Sequence, residues 1–115
     1  MFGFPALLVV QGCLDRSPMR AREEALRQDL LVFRSTLEQY RSDKGTYPGS
    51  LNDLVTEGYL RSIPFDPMTR SRDTWRAIYE YPGTPGPGRS SRFVVVGVRS
   101  GSPGRARDGT LYGDW

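Results

Sequence analysis

A chain of 115 residues has room for one domain with a modest core. Its hydrophobic share of 37% and charged share of 25% are those of a folded domain on the polar side, and the thirteen Gly and nine Pro crowd the second half, so regular structure is expected early and turns late. With no His and a single Cys, the chain lacks His-based triads, His-ligated metal sites, an intramolecular disulfide and the usual four-ligand zinc site.

The net charge of +3 comes almost wholly from Arg, interleaved with acids. The clusters Arg70, Arg72 and Arg76, and Arg105 with Arg107, carry neither interleaved aromatics nor a reading motif. They read as a solvated surface, and no nucleic-acid partner is expected.

Residues 1–16 are expected to be an export leader or membrane-anchoring segment, and 17–115 the globular domain. The apolar run Phe2 to Val10 is too short for the ~20 residues that cross a bilayer, but suits the apolar part of a signal. Val10-Gln11-Gly12-Cys13 resembles a bacterial lipobox, which would make Cys13 a lipidation site. Two acyl chains there would give stable anchoring. The other reading of Cys13 is an ordinary thiol in an atypical leader.

Ser17-Pro18 has the form of a helix start, with Ser as cap and Pro at the first position. Glu23 and Glu24 then lie near the end where the helix dipole favours negative charge. Leu26, Leu30, Phe33, Leu37 and Tyr40 recur at steps of four, three, four and three, which keeps them on one helical face. Arg27, Gln28, Arg34, Ser35, Glu38 and Arg41 occupy the other, with Arg34 and Glu38 spaced to pair. Lys44 suits the last turn and Gly45 the position just past it.

A second, short helix is expected from Ser50, with Asp53 three residues on as a short-armed capping box; Leu51, Leu54 and Val55 form its apolar side and Gly58 ends it. Ile63-Pro64-Phe65-Asp66-Pro67 is a proline-fixed extended crossing. Asp66 and Asp73 are the nearest thing to an acid–base pair, and salt bridging in an Arg-rich loop accounts for them; no enzyme activity is expected.

The helix ending in QYRSDKGTYP, followed by SLNDLVTEGYLRSIPFDPMT and then DTW, resembles the globular part of G-type major pseudopilins of type II secretion and their type IV pilin-like relatives. With the closing DGTLYGDW, the resemblance spans roughly three-quarters of the chain. It implies an α+β fold with a long N-terminal helix packed on a small antiparallel sheet and a short helix between. It also implies a non-catalytic structural role at the bacterial cell envelope, on its periplasmic side or in an extracellular filament. Partners would be other pilin-like or secretion-apparatus subunits, further copies of the chain, and the membrane through the N-terminus. In G-type pseudopilins a loop near the C-terminus binds calcium, and Asp108 and Asp114 match it approximately; otherwise no cofactor is expected. The chain departs from the family at its start. The fifth residue from Phe4 is Leu8 and no Glu precedes Glu23, so a lipid-anchored protein that binds another envelope protein is the alternative reading.

Trp75, Ala77, Tyr79 and Tyr81 alternate with Arg76, Ile78 and Glu80 and predict a half-buried strand. Phe93 to Val98 is apolar on both faces and predicts a strand that is central or helix-covered. Pro82 to Ser91 reads as a flexible hairpin loop between them. The tail from Arg99 to Trp115 shows no period beyond a short Leu111-Tyr112, with Asp108-Gly109 closing a bend; Trp75 and Trp115 are expected to pack as core aromatics.

Overall fold

The computed structural model describes residues 18–81 and 93–115. The expected leader or anchoring segment with Cys13, the expected Ser17 cap and the expected Pro82–Ser91 loop fall outside the described residues. Within them the fold is α+β, with one long helix, a short helix and a two-stranded antiparallel sheet.

Helix α1 runs Pro18–Lys44. Leu26, Leu30, Phe33 and Leu37 are buried, Tyr40 is half-buried, and the expected outward residues are exposed. Each buried apolar side chain contributes about 1.5–3 kcal/mol on leaving water. Glu38 pairs not with Arg34 but with Arg41, at 3.6 Å, and accepts the Tyr47 hydroxyl at 2.7 Å. Tyr47 lies just past the helix end, where its hydroxyl reaches the Glu38 carboxylate.

Gly45 ends α1 at φ +81°, its N–H donating to the Arg41 carbonyl at 2.8 Å. Helix α2 covers Asn52–Thr56 and buries Leu54. The Ser50 hydroxyl accepts the Asp53 N–H at 3.3 Å, while the Asp53 carboxylate reaches back one residue further than a capping box requires, to the Gly49 N–H at 3.2 Å. Past the helix, the N–H groups of Tyr59 and Gly58 donate to the carbonyls of Leu54 and Val55, with Gly58 at φ +85°. These two bonds are a Schellman stop.

Strands β1 (Arg76–Glu80) and β2 (Val94–Arg99) pair from Arg76 opposite Arg99 to Glu80 opposite Val94. Ile78 faces Gly97 and Tyr79 faces Val95, so Val96 is an extra residue and the ladder bulges there. Helix α1 lies over β2, and no Cα of α1 comes within 8 Å of a Cα of β1. β2 is therefore helix-covered and not central, since the sheet has two strands among the described residues. The same offset corrects the expected burial of β1. Trp75 is buried and Ala77 half-buried, but Tyr79 and Tyr81 stand 55% and 45% exposed, since neither described helix reaches over that end.

Trp75 joins spine to sheet: its ring meets Phe33 edge-on at 5.0 Å and its indole N–H donates to the Pro64 carbonyl at 2.7 Å. Val95 and Leu54 are fully buried in the same core.

The tail is more ordered than its lack of period predicts. An Ala106–Thr110 turn and an Arg105–Leu111 bridge fold it back on itself, and it ends in a 3₁₀ turn at Tyr112–Asp114. Ser100, Ala106 and Tyr112 are buried. Gly101 makes the turn out of β2 possible, because a Cβ there would lie 2.0 Å from the Thr74 carbonyl oxygen.

Candidate functional site

Two buried carboxylates tie distant parts of the chain together. Glu23 is 2% exposed. It accepts the Arg107 backbone N–H and the Arg107 Nε, both at 2.9 Å, and the Tyr112 hydroxyl at 2.8 Å. Burial pushes the Glu23 carboxyl upward. The Arg107 backbone N–H, the Arg107 side chain and the Tyr112 hydroxyl together outweigh that push and leave it below the usual carboxylate range. The Tyr112 hydroxyl shifts the other way, raised by burial and by donating to the Glu23 carboxylate, whose charge also opposes its ionisation. The expectation for Glu23 goes no further than a charge favoured by the helix dipole near the start of α1. Glu23 is the anchor on which the tail closes.

Asp66 is fully buried. Its Oδ1 accepts the N–H groups of Met68 and Thr69, at 2.8 and 3.4 Å, and its Oδ2 accepts the Ser100 hydroxyl at 2.7 Å. Salt bridging therefore does not explain Asp66; turn N–H groups and a serine do, while within the same turn Arg70, at φ +59°, donates its N–H to the Asp66 backbone carbonyl at 2.7 Å. Asp73 is exposed, and its own N–H donates to the Ser71 hydroxyl. On α1, half-buried Asp29 has its carboxyl raised to about 6, first by burial and then by the charge of Asp66.

Asp108 and Asp114 line one shallow cleft with Arg27, Arg105, Thr110 and Trp115. Asp108 Oδ1 already accepts the N–H and hydroxyl of Thr110, at 3.0 and 2.6 Å, which hold its carboxyl below the usual range. The Gly109 carbonyl accepts Arg105 at 2.8 Å, and Asp114 faces Arg99 at 3.7 Å. Arg27 stands 4.4 Å above the Trp115 ring. Calcium seeks six to eight oxygens free of competing cations. Two carboxylates among guanidinium groups fit that demand poorly, and no group of three or more metal-ligating side chains occurs among the described residues.

Three arginines of the expected basic clusters are engaged within the domain. Arg72 donates to the Ile63 carbonyl at 3.1 Å and lies over the Phe65 ring, Arg105 serves Gly109, and Arg107 serves Glu23. Trp75 is a core aromatic as expected, whereas Trp115 is half-buried against Tyr112, ring centroids 5.2 Å apart.

The surface carries its own apolar features. Leu31 and Val32 stand 50% and 41% exposed on the outer face of α1, and Tyr81 meets Phe93 edge-on at 5.4 Å at the open end of the sheet. No helix among the described residues is long and apolar enough to cross a membrane.

A signal for Glu23 was present in the sequence. Met19, Glu23, Leu26 and Leu30 continue the same steps of four, three and four, so a charged residue sits in the buried stripe. No protein-family model, curated protein or solved structure matches the chain.

Proposed function

We propose that this chain is a non-catalytic assembly subunit of a type II secretion or type IV pilus-like apparatus, with a pilin-like domain in the cell envelope. The observation that carries the reading is the order of parts. A long helix, a Tyr-Pro turn, a short Leu-rich helix and a Pro-Asp-Pro crossing lead into a small sheet that closes on Leu26, Leu30, Phe33 and Leu37. A non-catalytic role is supported by how the carboxylates are used. Glu23 and Asp66 spend their oxygens on internal donors, and Asp108 spends its own on Thr110. The apolar outer face of α1 at Leu31 and Val32 suits a contact with a neighbouring subunit.

Electron microscopy of the purified chain, alone and with the apparatus's other pilin-like subunits, tests this reading. Fibres that include the chain are expected. Its absence from every fibre would count against a filament subunit.

The second reading, a lipid-anchored envelope protein that binds another envelope protein, rests on Val10-Gln11-Gly12-Cys13. Palmitate labelling that disappears in Cys13→Ala is the expected result there. An unlabelled wild-type chain would remove that reading.

A further inference from the structure

The outer edge of β1 is a strand edge with an internal symmetry. Among the described residues, the backbone of Arg76–Glu80 bonds only to β2, and the close backbone approaches of α1 to the sheet are to β2. An edge of this kind presents a row of donors and acceptors to any second strand. Read in the opposite direction, Arg76-Ala77-Ile78-Tyr79-Glu80 reverses its charges. We propose that β1 pairs antiparallel with β1 of a second copy, about a two-fold axis at Ile78, so that Arg76 of each copy faces Glu80 of the other.

Three observations select this occupant and this register. Opposed residues in an antiparallel pair share a face, so a two-fold pairing must be centred on a residue. Of the centres Ala77, Ile78 and Tyr79, only Ile78 sets Arg against Glu, twice; the other two leave each charge facing an apolar residue or one beyond the strand. The same register sets Tyr79, 55% exposed, opposite the small side chain of Ala77 in the second copy. A large side chain stranded at an open edge thereby gains a cover.

The geometry leaves room. The order β2-β1-β1-β2 puts the two β2 strands about 14 Å apart at the usual strand spacing, beyond the 8–10 Å at which helices pack, so the two α1 helices do not collide. Growth beyond two copies is opposed at the far edge of β2, where the Val95 N–H already donates to the Pro48 carbonyl at 2.8 Å. A five-residue strand makes a small interface, so the dimer is a weak, salt-sensitive one. This inference goes beyond the assembly reading and rests on β1 alone.

Sedimentation velocity of the full chain, from micromolar to millimolar concentration, tests it. A monomer–dimer equilibrium is expected. Arg76→Glu and Glu80→Arg should each weaken it roughly tenfold, since each brings two like-charge contacts at once. An equimolar mixture of these two variants should dimerise again, because each then supplies the charge the other lacks. The double variant R76E/E80R should dimerise as the wild type does. A wild-type chain that stays monomeric at millimolar concentration overturns the proposal, whatever the fibre experiment gives. So does a mixture that gains nothing over either variant while circular dichroism shows both folded.

Discussion

The spine of α1 and the C-terminal tail are both buried, yet they are held by different physics. The spine places one apolar side chain at every step of its 3–4 pattern, and any residue of that character would serve. The tail has no such pattern. It is fixed by a few polar groups that meet specific distant partners: Tyr112 and Arg107 on Glu23, and Ser100 on Asp66. The spine is tolerant in detail and costly in bulk. The tail is specific, and a single missing atom matters, since a buried carboxylate left without its donors costs more than a bond made adds.

Mutations can break the comparison from either side. The largest effect is expected at Phe33, fully enclosed and edge-on to Trp75. Phe33→Ala should cost about 3–5 kcal/mol in urea unfolding, with loss of the whole fold and not of one region. Glu23→Ala should cost less, about 2 kcal/mol, because Arg107 is half-exposed and recovers water. Its effect should fall on the tail first, read as a rise in proteolysis after Ser100 while the helix signal holds. Tyr112→Phe removes one hydroxyl and should cost about 1 kcal/mol in the same assay.

The two shifted carboxyls give a pH test with opposite signs. Glu23 lies below its ordinary value when folded, so its stabilisation is present above pH 4.5 and is lost as pH falls through its folded pKa. Asp29 is raised from 3.8 to about 6, so its contribution is full below pH 3.8 and is lost as pH rises through about 6. Asp29→Asn should therefore stabilise the protein at pH 7, by about 1 kcal/mol after allowing for solvent screening of a half-exposed group. It should also remove the decline in melting temperature between pH 4 and 6. Smallest of all is the effect expected of calcium. Melting with calcium and with chelator should coincide, since Asp108 and Asp114 stand among Arg27, Arg99 and Arg105; a raised midpoint in calcium would restore the site.

The spine, the α2 helix, the Gly45 and Gly58 stops and the two strands were legible in the sequence because each rests on a local rule of spacing or turn chemistry. The half of the molecule that was not legible rests on contacts far apart in the chain. The Glu23–Tyr112 bond spans 89 residues and the Ser100–Asp66 bond 34. No period encodes such a meeting. The misread end of β1 has the same origin: alternation assigns Tyr79 and Tyr81 a face but cannot say that α1 lies over β2 and leaves them uncovered. As for candidate sites, Asp108 and Asp114 do share a cleft, but the guanidinium groups that join them there come from α1 and β2 as well as from the tail.

That the tail belongs to one cooperative unit with the spine is tested most directly by native-state hydrogen exchange at two amides. One is Val95, which donates to Pro48 in the core; the other is Arg107, which donates to Glu23. Both should exchange only through global unfolding, with equal free energies of opening. Exchange of Arg107 at the rate of an unstructured peptide, with Val95 still protected, would contradict it.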